Sequence, residues 1–359
     1  MKRLFALVMA FVLVGCMPIP NIWGSSLPPR PSPTVMIFPS ETPSITPTIP
    51  TAVPSQTASP TASITPTFTP AATSTPNFTP TPSKASIKRV MIISYDGMRP
   101  DAIEQAPMPN LMALMQGGAY APLSARTIDY PATSPSHASM LSGLCMEDHG
   151  VIYNKYFMYM GYSKGVDVFD LAHEADMKTV MIVSKDKLRQ LAEPETTDVF
   201  EVAYGEPAIA RAVIPQIEAG FDLMFIHLAG ADNRGHKYGW MSGEQFKVLR
   251  DGDEVLGQIV QALKDNGLFD TTLILVTADH GGHDKNHIGL IIEDYRIPWI
   301  LYGPGVIPQQ LTLPIYTMDT AATAAYALGL PLQEEWAGIP VYQAFGEEQI
   351  RTHEDNPCK

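Results

Sequence analysis

The chain is short of cysteine and of basic charge. Three cysteines in 359 residues, Cys16, Cys145 and Cys358, exclude a disulfide-built scaffold, although one bridge between the last two stays open. Lysine and arginine number 24 against 37 aspartates and glutamates, for a net charge of −13. No basic stripe is available to neutralise a phosphate backbone, so a nucleic acid duplex is not the expected partner. The apolar run at the start, from Leu4 to Val14, is too short to span a bilayer as a helix. Solenoid repeats and a glycine-rich nucleotide fingerprint are also missing.

The charge that is present is unevenly placed. The first 84 residues carry Lys2, Arg3, Arg30 and Lys84 against Glu41, or +3, which leaves −16 for the remaining 275. Met1-Lys2-Arg3 ahead of the apolar run reads as a secretory signal. Leu13-Val14-Gly15-Cys16 resembles the lipobox of bacterial lipoproteins, which implies a lipid on Cys16. From Met17 to Lys84 the chain is rich in proline, threonine and serine and cannot build a core. Such a segment favours extended polyproline II and acts as a semi-rigid spacer. Residues 1–16 are therefore expected to be a signal peptide, 17–84 a stalk and 85–359 the folded domain. The layout predicts export, with the domain lipid-anchored outside the cytoplasmic membrane or in the cell envelope.

The densest chemistry lies at residues 277–287. Asp279, His280, His283, Asp284 and His287 crowd there behind Leu273-Ile274-Leu275-Val276, a buried-strand pattern. Carboxylate and imidazole are ligands for zinc and similar divalent metals. Gly281 and Gly282 let the backbone turn at the strand's end, where open α/β sheets build their sites. Taken alone, the stretch also fits a polar surface loop.

Other strand ends repeat the pattern. Val90-Met91-Ile92-Ile93-Ser94-Tyr95 reads as a strand ending at Asp96-Gly97. Leu223-Met224-Phe225-Ile226-His227-Leu228 delivers Asp232 and His236, four apart on a glycine-containing loop able to curl onto one ion. Thr133, ahead of Pro135 and a helical run, is placed as a helix N-cap, where unpaired N–H groups also stabilise a phosphate. Ser134 and Ser136 are competing hydroxyls on spacing alone, and Asn154 follows in a His-Gly-Val-Ile-Tyr-Asn-Lys context. Between these motifs the pattern predicts helices over 109–116, 168–175, 207–219 and 319–328 and a strand over 179–183. Ser242 with Gln245 reads as a capping box opening an amphipathic helix, with Asp253 making a hydrogen bond at the core's rim. Alternating strands and helices give an α/β class.

In this order Asp96, Thr133, Asp232/His236 and Asp279/His280/His287 resemble the alkaline phosphatase superfamily, most closely its nucleotide pyrophosphatase/phosphodiesterase branch. The resemblance covers most of residues 86–330. It implies a central, mostly parallel sheet with helices on both faces. It also implies two divalent metal ions, zinc in that family. Asp96, Asp279, His280 and the nucleophile Thr133 would hold one ion. Asp232, His236 and His287 would hold the other, with His283 as the alternative third ligand. Asn154 would bind the phosphoryl group of a small-molecule ester, a nucleotide or another phosphodiester, hydrolysed through a covalent phospho-threonine. A phosphomonoesterase on the same metals would need an added cation, for which Arg99 and Lys155 are possible suppliers. A non-catalytic lipoprotein would leave a complete ligand set without a role.

Two departures stand out. In the larger phosphodiesterases the last histidine lies far downstream of Asp-His-Gly, whereas here it must come from His283 or His287. Thr133-Ser134-Pro135-Ser136-His137 also resembles the sulfatase signature. Threonine cannot become formylglycine, so that reading fails at the nucleophile.

Overall fold

Uncharged runs of β-branched and apolar residues make strands that are covered on both faces. A computed structural model describes residues 84–289, 291–353 and 356–358. The expected signal peptide, Cys16 and all of the stalk except Lys84 lie outside the described residues.

In chain order the strands are β1 (Arg89–Tyr95), β2 (Ala119–Ala121), β3 (Ala125–Arg126), β4 (Thr179–Val183) and β5 (Val199–Val202). They continue as β6 (Leu223–Leu228), β7 (Thr272–Thr277), β8 (Trp299–Tyr302), β9 (Gln309–Gln310) and β10 (Ile315–Tyr316). Eight of them form one sheet in the order β5-β4-β6-β1-β7-β8-β2-β9, while β3 pairs with β10. The run from β5 to β7 is parallel throughout. Only β8 runs against its neighbours β7 and β2. Every residue of β4, β6 and β7 is buried, as is β1 beyond Arg89. Burial on both sides of a strand requires two helical layers. One group of helices is Pro109–Gly117, Glu206–Glu218, Gly230–Tyr238 and Gly243–Asp265; Thr133–Ser142, Val168–Glu174 and Asp319–Leu328 form the other.

Local sequence explains where these helices start. Ser242 Oγ accepts from the Gln245 N–H and caps Gly243–Asp265. The Gln245 carboxamide reaches back to the Met241 N–H, one residue short of the reciprocal bond of a full capping box. Asp253, deep in that helix, caps a different one. Its carboxylate accepts from the Asn110 and Leu111 N–H groups, satisfying first-turn donors of Pro109–Gly117. The bridge left open by the sequence forms between Cys145 and Cys358.

Candidate active site

Because β1 lies between β6 and β7 and all three are parallel, the chain segments leaving their C-terminal ends must meet. They carry Asp96, Asp232 and Asp279. The turn after β1 is tight: Gly97 has φ +74°, and a Cβ there would lie 3.0 Å from Asp232 Cα. Backbone bonds lock the junction, with Asp96 N–H donating to Leu228 O and Asp232 N–H to Asp96 O, both at 2.9 Å.

The segment carrying Asp232 and His236 is the helix Gly230–Tyr238, not the loop expected from its glycines. A helix places positions i and i+4 on one face, so His236 Nε2 comes 3.2 Å from Asp232 Oδ1. Gly235 is tolerated because the Trp240 ring packs against it, 2.7 Å from where a Cβ would sit. Thr133 also differs from expectation. Ala132, in extended conformation, is the N-cap, and Thr133 is the first residue of Thr133–Ser142. Its hydroxyl therefore does not cap its own helix and instead accepts from Lys185 Nζ at 3.2 Å.

Each carboxylate is anchored through one oxygen and offers the other. Asp279 Oδ1 accepts from the Gly97 and His280 N–H groups, at 3.0 and 2.9 Å. Asp96 Oδ2 takes His227 Nε2 at 2.8 Å and Lys185 Nζ at 2.6 Å, and Asp232 Oδ2 takes the same ammonium at 2.6 Å. The remaining oxygens, Asp96 Oδ1, Asp232 Oδ1 and Asp279 Oδ2, are buried without a hydrogen-bond partner, as is His280 Nε2.

The histidines follow the same rule. His280, His287 and His236 each donate Nδ1–H to a backbone carbonyl, of Gly281, Pro131 and Lys285 respectively. That tautomer turns the Nε2 lone pairs toward the carboxylates, as metal-ligating imidazoles require. His280 Nε2 lies 3.6 Å from Asp96 Oδ1 and 3.4 Å from Asp279 Oδ2. His287 Nε2 lies 4.0 Å from Asp232 Oδ1, its ring stacked on His280. Ligand atoms of Asp232, His236 and His287 fall within 4.8 Å of one another, and so do those of Asp96, Asp232 and His280. Both groups suit a divalent cation, and Asp232 belongs to both. His283 is not among them; its Nδ1 pairs with Asp294 Oδ1 at 2.7 Å.

Electrostatics mark the same place. Burial alone would raise the Asp96 carboxyl, but the Lys185 ammonium and the His227 hydrogen bond hold it well below its ordinary value. Burial and the Asp96 charge push on Asp232 too, yet His236 and Lys185 keep it at about 2. Asp279 receives less help; burial and then Asp96 drive it well above the usual carboxylate range. Three acids therefore crowd more negative charge together than one ammonium neutralises, which bound cations would relieve.

Asn154 reaches the helix that Thr133 opens. Its Oδ1 accepts from the Ser134 N–H at 3.0 Å and from Lys187 Nζ at 2.7 Å. Two donors on one atom identify it as the oxygen and leave Nδ2 to donate to a ligand. Of the competing hydroxyls, Ser136 Oγ accepts from Thr127 Oγ1 and Ser134 Oγ is buried without a partner. Arg99 is engaged by Asp101 and the Gly282 carbonyl. Lys155 lines a cavity of about 560 Å³ beside Asn154, with Tyr153, Phe157 and Tyr159.

Sequence reasoning missed Lys185 and Lys187, although both follow β4, a strand it located. Asking what leaves every parallel strand's end would have found them. It also missed the floor beneath the ligands. His137 donates Nδ1–H to Thr133 O and accepts the Ser94 hydroxyl at Nε2, while His227 accepts the Ser184 N–H at Nδ1 and donates to Asp96. The signal was an imidazole inside a wholly apolar strand.

The family model described as type I phosphodiesterase / nucleotide pyrophosphatase matches residues 90–182 and 183–295. The chain belongs to that family. Among curated members, the bis(5'-adenosyl)-triphosphatase enpp4 of Xenopus laevis is 25% identical over 221 residues, covering 56% of this chain and 48% of that protein. Human ectonucleotide pyrophosphatase/phosphodiesterase family member 7 is 24% identical over 246 residues, covering 61% and 53%. The chain thus spans about half the length of these relatives. Its fold is alkaline phosphatase-like. Murine ectonucleotide pyrophosphatase/phosphodiesterase 5 superposes with a TM-score of 0.59 at 14% identity, covering 72% of this chain and 99% of that one. A 2-O GAG sulfatase gives 0.61 at 14% identity, covering 76% of each.

One histidine beside this family site carries a pH prediction. His149 donates Nε2–H to Ser139 Oγ and accepts the Val151 N–H at Nδ1, tying the Thr133 helix to the segment that holds Asn154. Burial lowers its pKa from 6.5 to about 4. The unfolded imidazole protonates below 6.5 while the folded one waits until about 4. Its contribution, up to about 3 kcal/mol, is therefore complete above pH 6.5 and lost as pH falls toward 4. Denaturant midpoints of wild type should drop more steeply between pH 7 and 4.5 than those of His149→Gln. Equal slopes would assign the acid sensitivity elsewhere.

Proposed function

We propose that this protein is a two-zinc phosphoric ester hydrolase of the phosphodiesterase/nucleotide pyrophosphatase type, acting through a covalent intermediate on Thr133. The observation that carries the reading is the set of orphaned ligand atoms on Asp96, Asp232, Asp279 and His280, beside a buried threonine hydroxyl. Asp96, Asp279, His280 and Thr133 would hold one ion and Asp232, His236 and His287 the other, with Asp232, which also lies among the ligand atoms of Asp96 and His280, placed to reach the first ion as well. When bound, such a pair neutralises developing charge on phosphoryl oxygens and lowers the pKa of a coordinated hydroxyl or water.

The chain's own groups account for the rest. Thr133 Oγ1 gives up its proton to solvent and forms the bond to phosphorus as the bond to the leaving group breaks, and the leaving oxygen takes up a proton from solvent. Asn154 Nδ2, fixed by the two donors on its oxygen, points a hydrogen bond at an equatorial oxygen. Water then displaces Thr133 and restores its hydroxyl. The cavity beyond Asn154 gives room for an organic substituent, in keeping with a nucleotide or another phosphodiester. A monoester on the same site is the second reading, favoured by the added cations Lys185 and Lys187. Lipid anchoring at Cys16 belongs to this proposal as an expectation of the leader sequence.

The test is a parallel assay of bis-nitrophenyl phosphate, nitrophenyl phosphate and nitrophenyl sulfate. Phosphoric esters should be turned over with zinc, lost on chelation and recovered on adding it back, with the sulfate ester inert. Sulfate turnover, or phosphoric ester turnover indifferent to chelation, would overturn the reading.

A further inference from the structure

Lys185 and Lys187 sit on one short turn of 3-10 helix entered from β4, Asp186–Leu191 with Lys185 as its cap. Their charges are differently committed. Lys185 Nζ is clamped between Asp96 and Asp232 at 2.6 Å from each, with Thr133 Oγ1 3.2 Å away. Lys187 is half-buried and bonds only a neutral oxygen, Asn154 Oδ1; among the described residues no carboxylate comes within ion-pair reach of it. A partly desolvated ammonium without a counter-ion is unfavourable unless a ligand supplies the anion. Burial, followed by the neighbouring Lys185, lowers its pKa, with Asp96, Asp232 and Asp279 opposing the shift from beyond ion-pair distance.

We propose that Lys187, backed by Lys185, forms an anion subsite beside Thr133 that selects substrates bringing two negative charges, on the attacked phosphoryl group or on it and its neighbouring phosphate. This rests on the reading of Thr133 as nucleophile and narrows its substrate class. A phosphodiester brings one charge. A terminal phosphoryl group brings two, and a pyrophosphate linkage brings the second on its neighbouring phosphate. Both sources satisfy a lysine placed next to the phosphoryl-facing amide, whereas a simple diester leaves that charge unanswered. Neither supplier named from the sequence, Arg99 or Lys155, has this position.

Binding tests the idea without turnover. Calorimetry on zinc-loaded Thr133→Ala protein should show inorganic phosphate binding more tightly than diethyl phosphate. Adding Lys187→Met should weaken phosphate by roughly ten- to a hundredfold, the range for one hydrogen bond to a charged group, and diethyl phosphate far less. Lys187→Arg should keep most of the difference, and zinc content should match in all three proteins. Equal weakening of both ligands, or unchanged phosphate affinity in Lys187→Met, would overturn the subsite. In the Thr133 enzyme, Lys187→Met should lower the kcat/KM ratio of nitrophenyl phosphate to bis-nitrophenyl phosphate. A dinucleoside pyrophosphate assayed beside them separates the two sources of the second charge. An enzyme inactive on every ester would remove the hydrolase reading, while the phosphate titration would still decide the subsite.

Discussion

Thr133→Ala should lose roughly a thousandfold or more of phosphoric ester turnover, the scale on which removing a nucleophile acts. It should do so with its fold intact and much of its metal retained, since Asp96, Asp279 and His280 still offer three of the four ligands proposed for that ion. Thr133→Ser should keep part of the activity, because a hydroxyl remains on the same backbone while a freer χ1 rotor costs orientation. Ser134→Ala and Ser136→Ala should come nowhere near this effect. Ser136 only bonds Thr127, and Ser134 contributes through its backbone N–H to Asn154. Steady-state kinetics on the four variants decide the matter. Wild-type-like turnover in Thr133→Ala, or an enzyme silenced by Ser134→Ala, would end the covalent threonine mechanism.

The second large effect belongs to Asp232, the one carboxylate common to both candidate metal groups. Elemental analysis after zinc reconstitution should find about two ions per wild-type chain. Asp232→Ala should hold less than one, because it weakens both groups and also releases Lys185 from one of its two anchors. His287→Ala should keep about one, since His287 serves a single group. Activity should fall by about three orders of magnitude or more in Asp232→Ala, as both positions lose occupancy. The choice of ligand fails if His283→Ala empties a position and His287→Ala does not.

The parts of this fold that could be read in advance are those with strong local patterns. Residues 179–183 and 223–228 are largely apolar runs, each preceded by a charged residue, and both are strands with those bounds. Gly230–Tyr238 reads as a loop in sequence because it has two glycines and no apolar stripe. Its helix depends on partners far away in sequence, the Asp96 carbonyl for the Asp232 N–H and the Trp240 ring over Gly235. The two-residue strands β3, β9 and β10 are too short to leave a period. At the site, the metal-ligand types are conspicuous in sequence, and Asp96, Asp232, His236, His280 and His287 come together in two groups, with Asp279 outside them but 3.4 Å from His280. Lys185 escaped because lysine in a charged stretch reads as solvated surface. Only the sheet order, with β4 beside β6, brings it to Asp96 and Asp232.

The buried imidazole floor has a consequence for how this protein can change over generations. Ser94, His137 and His227 have matched donors and acceptors, so replacing one leaves its neighbour's polar atom stranded in an apolar layer. Each single exchange is penalised more than the set exchanged together, and substitution effects at these positions are epistatic rather than additive. The floor should therefore drift as a block or stay as it is, and Asp96 is bound to the same constraint because His227 donates to its carboxylate.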